Sequence, residues 1–567
     1  MAVRHACATA LLFVLPLAGC QSVPTQEATN PGRAVAATAH PVATRVARDV
    51  LQQGGNAADA AVAAGFALAV VEPAMSHLGG RIQILYRSPD GRYYGYNGMT
   101  EVPASFVPPE EPVSQGYGTI ATPGVVAGLG RLHAEHGSLS WSVLLDEPAA
   151  IARNGFELLP GGADRHASGL ESFRTNPGFL EAFVEADGSA YDAGDTLRQP
   201  VLARTIDRLA EHGASDFYRG GIAEQIAADM EANGGYVSAR DLAAYRVLDG
   251  RYISTRYRGY EIHSLAAPAG GGLVVRTLNI LENFDLSSMT EPQWAAVVNQ
   301  ALALAINAMA EDRAEKNLEH VVDKAWAAQQ AATIRVPEPT ASLLPLSRQV
   351  EASGPTATDW TGRAWGNDSH HTTHFTIVDC DGGVVSITQT VGPLFGSRVI
   401  TPGLGFVYAA TMGSYLSSAE QLPGTRPRTT IAPTIVTKDG NVVLALGAAG
   451  GMRILSAIVQ TISRYVDQGH DPQTSVALPR VHPERIRTDD GDRVTLGEKI
   501  NMEMTPQRGW PSAVADELEA SGFEVIPVEE HASFGRVHLV AHANDTWAGV
   551  ADPDWEGDVG SVSCEAR

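Results

Sequence analysis

The run from Ala57 to Val71 (AADAAVAAGFALAVV) limits the fold more than any other stretch, because its only charge is Asp59 and it has no polar face at helical spacing. A helix that is apolar all round has to be covered all round, so it belongs inside a layered body. Asn56 stands where a cap belongs,. A second helical pattern precedes it, opening at His40-Pro41 with proline in the first turn and stopping at Gly54,. Further helical patterns lie at Gly124 to His136, Trp141 to Asn154, Val201 to His212 and Gly221 to Asn233. Ile82 to Tyr86 and Arg92 to Tyr96 alternate around Ser88-Pro89-Asp90-Gly91, a hairpin signal,. From Thr372 the pattern turns to strands: Thr372 to Asp379 with Val384 to Thr390, then Thr434 to Thr437 with Val442 to Leu446, before a helix from Met452 to Gln468. There is no internal repeat. Helices, then hairpins, then helices fit an α/β (α+β) body with helical layers around packed sheets.

The candidate chemistry centres on Thr372-Thr373-His374, which opens a strand, and on Thr390, eighteen residues after Thr372. A threonine hydroxyl ionises far above neutral pH and is a poor nucleophile unless a neighbouring base takes its proton. A free α-amine, titrating at about pH 8, is such a base. An internal threonine has none, so the reading requires the chain to cut itself between His371 and Thr372. Thr372 and Thr390 sit on two strands joined by one hairpin and can face each other across the ladder. The polar, proline-containing stretch Pro337 to Trp360 precedes the cut. It reads either as a flexible segment that lets the severed end move away or as a surface loop, and composition does not separate the two.

Arg4, the apolar run Ala8 to Leu17 and then Leu17-Ala18-Gly19-Cys20 read as a bacterial lipoprotein export signal over residues 1–19,. The apolar run falls short of the roughly 20 residues that span a bilayer. Cys20 would carry the lipid, with residues 20–37 as a tether rich in Ser, Pro, Thr and Asn,. This places the body on the periplasmic face of a membrane, held by acyl chains alone. The alternative is an ordinary cleaved signal with a chance cysteine. Once the signal is removed, Cys380 and Cys564 remain as a permitted but undemonstrated disulfide pair,. The net charge of −23, from 41 basic against 64 acidic residues, disfavours nucleic acid and anionic lipid as partners,.

A series of short motifs runs through the chain in order: Gly54-Gly55-Asn56-Ala57, Glu72-Pro73, Leu78-Gly79-Gly80, Thr122-Pro123-Gly124, Phe217-Tyr218-Arg219-Gly220 and Gly270-Gly271-Gly272. It continues with Thr372-Thr373-His374, Phe395-Gly396-Ser397, Pro433-Thr434-Ile435, Gly450-Gly451, Pro479-Arg480-Val481-His482 and Asp552-Pro553. Together these resemble the γ-glutamyltransferase family of N-terminal nucleophile hydrolases. The resemblance implies a four-layer αββα sandwich cut into a large subunit, 38–371, and a small subunit, 372–567, intertwined as one catalytic domain and paired as a heterodimer. It implies Thr372 as the nucleophile, first on the His371 carbonyl and then on a small-molecule amide substrate, with Thr390 hydrogen-bonded to it. Gly450-Gly451 match an oxyanion hole, whose backbone N–H groups stabilise the charge of a tetrahedral intermediate. Without the resemblance, the same two glycines read as a turn leading into the helix at Met452.

The substrate pocket departs from the family pattern. Where other members hold the glutamyl α-carboxylate with an arginine and two serines, this chain has Met99, Thr429 and Thr430. Where they hold the α-amino group, it has Gly392, Thr411 and Ser414. Each lost charge-assisted hydrogen bond is worth about 1.5–3 kcal/mol, so a zwitterionic glutamyl head should bind two to four decades more weakly unless something replaces them. Arg81, after Leu78-Gly79-Gly80, and Arg398, after Phe395-Gly396-Ser397, stand where the family usually has small residues. One of them is expected to take an acidic group placed differently, as in a dicarboxylic monoamide; the bland alternative is a solvated or structurally paired arginine.

Three functions compete. The leading one is a threonine amidohydrolase or acyltransferase acting on γ-glutamyl or related acyl amides, with a glutaryl- or cephalosporin-acylase-like specificity as the alternative. The second is a processed but catalytically weak lipoprotein that serves as a binding scaffold. The third, a metalloenzyme, is suggested by His370, His371 and His374. On a strand His370 and His374 share a face while His371 points away, and no acidic or cysteine ligand lies at suitable spacing, so no metal is expected,. No Gly-x-Ser-x-Gly elbow and no phosphate-binding glycine loop after a strand occur, so neither a serine hydrolase nor a nucleotide cofactor is expected,.

Overall fold

The computed structural model describes residues 33–312, 315–338, 371–416, 420, 422–488, 491–505, 508–543 and 546–564. The proposed signal, Cys20 and most of the Pro337 to Trp360 stretch, together with His370, lie outside the described residues. Two sheets organise the chain. The seven-stranded sheet runs in the spatial order Asp558–Ser563, Arg33–Thr38, His371–Val378, Val384–Gly392, Arg81–Arg87, Tyr93–Gly98 and Leu248–Asp249. The six-stranded sheet runs Thr546–Ala551, Arg536–Ala543, Asn441–Ala449, Thr434–Lys438, Tyr260–Leu265 and Tyr252–Tyr257.

Side-chain alternation along the strands makes the layers. Ala34 and Ala36 pack toward the helices outside the first sheet, whereas Val35 and Ala37 pack between the sheets with Val378, Ile435, Ala445 and Val540,. In the second sheet Leu444 and Leu446 face its own outer helices and Ala445 faces inward. Helices Pro41–Gln52, Ala57–Val71 and Val125–His136 pack on the first sheet and Gly271–Leu281 and Arg453–Val466 on the second, with Trp141–Asn154 and Glu291–Glu311 stacked outside them. The result is the αββα sandwich that the resemblance implies.

All fifteen residues of Ala57–Val71 are buried, as their composition requires. The one charge has its own use. Asp59 accepts from the Asn56 N–H while Asn56 caps the Asp59 N–H, and its carboxylate also takes the Ser138 hydroxyl and the Ser138 and Leu139 N–H groups,.

One boundary needs correction. Residues 20–37 read as a tether, but Arg33–Thr38 is a strand inside the larger sheet, between Asp558–Ser563 and His371–Val378. Its small apolar residues looked unstructured because the partners that bury them lie hundreds of residues away. Those pairings also interlace the chain: the 371 and 384 strands sit between strands from the first hundred residues, so a break at 371/372 would leave both pieces in one sheet. Cys380, in the turn between these two strands, is disulfide-bonded to Cys564.

Candidate active site

The 371 and 384 strands pair antiparallel, with Thr388 opposite His374 and Thr373 opposite Gln389. After Gln389 the register shifts, and Gly392 pairs with His371. This irregularity brings Thr390 over the candidate scissile bond. The Thr372 hydroxyl donates to Thr390 Oγ1 at 3.3 Å, and the Thr390 hydroxyl donates to the His371 carbonyl oxygen. The Gly392 N–H donates to Thr390 Oγ1 at 2.9 Å. Gly392 has φ of +92°, a conformation that lets the backbone turn back on the hydroxyl and that a side chain would resist,. One hydroxyl is thus placed both to polarise the His371 carbonyl and to accept the Thr372 hydroxyl proton, the two roles the candidate chemistry needs,.

The third residue of the triplet is structural. His374 is fully buried, with Nδ1 at 2.7 Å from the Thr388 hydroxyl and Nε2 at 2.9 Å from the Thr376 hydroxyl. Burial, with the neighbouring His538 adding to it, holds its pKa well below the ordinary range, so it is neutral,. Both ring nitrogens are occupied, and among the described residues no group of His, Cys, Asp and Glu is arranged to hold a metal ion.

His374 also sets how the two sheets stack. Its ring lies against Gly447, where a Cβ would come within 2.3 Å of it. One step along, the Ser386 hydroxyl, on the residue opposite Thr376, donates to the Leu446 carbonyl. Travelling from Thr376 toward Thr372 on one sheet therefore runs beside Leu446 toward Ala449 on the other. The chain leaves the second sheet at Gly450-Gly451, on the side toward which Thr372 lies from His374. Both glycines are buried with positive φ, +128° and +60°. Their N–H groups donate to no acceptor among the described residues, and the helix Arg453–Val466 starts just beyond. Unsatisfied buried amides toward the end of the sheets where the candidate nucleophile lies fit the oxyanion role. They also form the turn into the helix that the bland reading expected. A Cβ at Gly450 would meet the Gly535 Cα at 2.8 Å. Gly450→Ala is therefore expected to displace the donors and lower kcat about 10²–10³-fold with little change in KM, measured on cleaved enzyme.

The candidate substrate residues separate. Thr430 spends its hydroxyl proton on the Gly451 carbonyl at 2.8 Å, fastening the glycine turn, and Thr429 Oγ1 accepts from the Ile431 N–H. Ser414 is exposed on the short helical turn Gly413–Tyr415. Arg398 donates to Gln115 at 3.0 Å and is only partly buried. Arg81 is directly opposite Thr390 in the ladder, and its guanidinium approaches Gly392, Ala410 and Thr411. Met99 is buried in the core beyond the Tyr93–Gly98 strand and offers no charge.

Two supports escaped the sequence reading although their residues lie in the quoted motifs. Glu72 accepts the Thr373 hydroxyl at 2.6 Å and the Trp555 indole N–H at 3.2 Å, directly behind the candidate nucleophile. Burial raises its pKa against the pull of Thr373, Arg165, Trp555 and Arg536. Arg480 donates to the Gly535 carbonyl at 2.6 Å, bracing the residue that backs Gly450. A glutamate before proline and an arginine after proline carry no local signal of such roles.

A family model described as gamma-glutamyltranspeptidase matches residues 43–562. The chain belongs to the γ-glutamyltranspeptidase family. Within the family, the glutathione hydrolase proenzyme of Escherichia coli (strain K12) is 31% identical over 482 residues, 79% of this chain and 81% of that one. The acylase ACY 1 proenzyme of Pseudomonas sp. (strain SE83) is 31% identical over 528 residues, 87% of each chain. The solved cephalosporin acylase from Bacillus halodurans superposes with a TM-score of 0.80 over 96% of this chain and 99% of its own, at 24% identity, a likeness of fold. Membership of the transpeptidase family makes this chain an enzyme of the hydrolase and transferase type.

Proposed function

We propose that the chain cleaves itself between His371 and Thr372 and then uses Thr372 as an N-terminal nucleophile to open acyl amides through an acyl-enzyme. The observation that carries this is the relay from the Thr372 hydroxyl to Thr390 and from Thr390 to the His371 carbonyl. In maturation, Thr372 Oγ1 adds to the His371 carbonyl carbon and its proton passes by way of Thr390 to the departing nitrogen. The C–N bond breaks, leaving an ester, and water hydrolyses the ester to free the His371 carboxylate. The new α-amine then serves as base toward substrate. Thr372 Oγ1 attacks the amide carbonyl, the oxyanion forms toward Gly450-Gly451, the amine leaves with the transferred proton, and water or a second amine takes the acyl group.

The relatives' names put glutathione hydrolysis and acylase activity on the same scaffold. Loss of the usual glutamyl ligands at Met99, Gly392, Thr411 and Ser414 favours the acylase side, with γ-glutamyl amides as weaker substrates. Leu17-Ala18-Gly19-Cys20 supports lipidation at Cys20 and a membrane-held, periplasmic enzyme,.

Mass spectrometry of the mature protein tests these readings together. We expect a small fragment beginning at Thr372 that gains the acyl mass of a bound substrate, and a large fragment beginning at an acylated Cys20. An intact chain overturns the nucleophile, and an unmodified large fragment overturns the anchor.

A further inference from the structure

Arg81 is an unusual residue to find beside a threonine nucleophile. It opens the Arg81–Arg87 strand directly opposite Thr390, and side chains opposite one another in an antiparallel pair project to the same face,. Its bonds are weak for a guanidinium: 3.3 Å to the Thr411 hydroxyl and 3.5 Å to the Ala410 carbonyl, with Nε unpaired. No carboxylate among the described residues stands within ion-pair distance of it; Glu420 and Tyr415 act on it only from further off. Burial outweighs those two and pushes its pKa down to about 10, so it remains charged at neutral pH. Gly392 lets the backbone pass close by: a Cβ there would stand 3.0 Å from the Ala410 carbonyl oxygen and 3.5 Å from the guanidinium. A partly buried cation with spare donors is costly to keep unpaired, and a carboxylate presented in plane would satisfy it bidentately.

Arg398 likewise has no carboxylate at ion-pair distance among the described residues and a pKa lowered by burial, but its placement differs. It is held by Gln115 at 3.0 Å, lies after a turn of positive-φ residues, and has no place in the ladder beside Thr390.

We propose that Arg81 is a specificity-determining residue that binds a carboxylate at the far end of the acyl group, selecting monoamides of short dicarboxylic acids over neutral acyl amides. This rests on Thr372 being the nucleophile. The acyl carbonyl lies at Thr372 with its oxygen toward Gly450-Gly451, while the chain runs past Thr390 and Gly392 and its terminal carboxylate meets the guanidinium. The positions that the resemblance pairs with a glutamyl α-amino group, Gly392, Thr411 and Ser414, carry no carboxylate, so a plain dicarboxylic acyl group fits better than an amino-acid one.

The test is kcat/KM on the mature enzyme for glutaryl, pentanoyl and γ-glutamyl p-nitroanilides, with N-terminal sequencing to show that Thr372 is exposed. Unsubstituted enzyme is expected to favour glutaryl over pentanoyl. Arg81→Met should lower that glutaryl-to-pentanoyl ratio roughly 10- to 150-fold, through KM, the equivalent of one charge-assisted hydrogen bond. Arg81→Lys should recover part of it. A ratio unmoved by Arg81→Met, or an equal loss on both substrates, overturns the proposal. So does an unsubstituted enzyme that takes pentanoyl as readily as glutaryl, a result that needs no variant to fold. Failure to turn over any of the three, with Thr372 buried in an uncut chain, would instead be failure of the nucleophile assignment.

Discussion

Replacing Thr372 by alanine should leave one uncut chain on a denaturing gel and no measurable amide turnover, while the fold persists. The hydroxyl removed is the donor to Thr390, and Thr390 in turn holds the His371 carbonyl, so both the cut and the later acyl transfer lose their attacking atom. Losses on the order of 10⁶-fold in kcat accompany removal of the nucleophile in other covalent hydrolases. Thr372→Ser keeps the hydroxyl and should still cleave. The fold survives because Thr372 contributes little apolar area next to strands fixed by Phe375, Ile377 and Val378. Circular dichroism alongside the gel checks this. Two fragments from the alanine variant would show that another residue performs the cut.

Asp552→Ala should lower stability by about 3–5 kcal/mol, because it removes the partner of two buried cations. Asp552 is 1% exposed, its Oδ2 lies 2.8 Å from Arg480 and its Oδ1 2.6 Å from Arg508. Its carboxylate also accepts the Val537 and Asp554 N–H groups. Burial works to raise its pKa, yet the two guanidiniums and the two N–H groups prevail and hold it well below the usual carboxylate range,. Without it, Arg480 loses the contact that aims it at the Gly535 carbonyl, and the wall behind Gly450 loosens. We expect a lower urea midpoint with an unchanged slope, together with a smaller kcat in the folded fraction. Asp552→Asn keeps a hydrogen-bond acceptor and should fall between the two. A midpoint within experimental error of the parent would mean that Glu503, 3.2 Å from Arg508, carries the pairing alone.

Elements whose signal is local were legible. The Ala57–Val71 helix, its Asn56 cap, the Trp141–Asn154 helix and the hairpin on either side of Cys380 follow from period and turn chemistry within a few residues,. Thr372 and Thr390 could be paired for the same reason, since one hairpin joins them. Arg33–Thr38 carries no local signal of a strand, and nothing beside Thr430 in the sequence shows that its hydroxyl donates to the Gly451 carbonyl, because the partners of both lie elsewhere in the chain. Arg81 and Arg398 looked equivalent, each following a glycine-containing motif. The ladder places one opposite Thr390 and the side-chain contacts tie the other to Gln115.

The amino-acid sequence by itself determined the elements, the layered class and the residue types able to perform threonine chemistry, since periodicity and side-chain reactivity are properties of short segments. The tertiary structure alone decided that Gly450-Gly451 lies toward the Thr372 end of the packed sheets, that His374 is packed between them with both ring nitrogens bonded, and that Arg81 stands opposite Thr390. The first two depend on the register between the two sheets, set by Gly447 beneath His374 and by Ser386 on Leu446, and the third on strand pairing within the first sheet. Register across a sandwich is a sum of many distant contacts, and no short stretch of the chain encodes it.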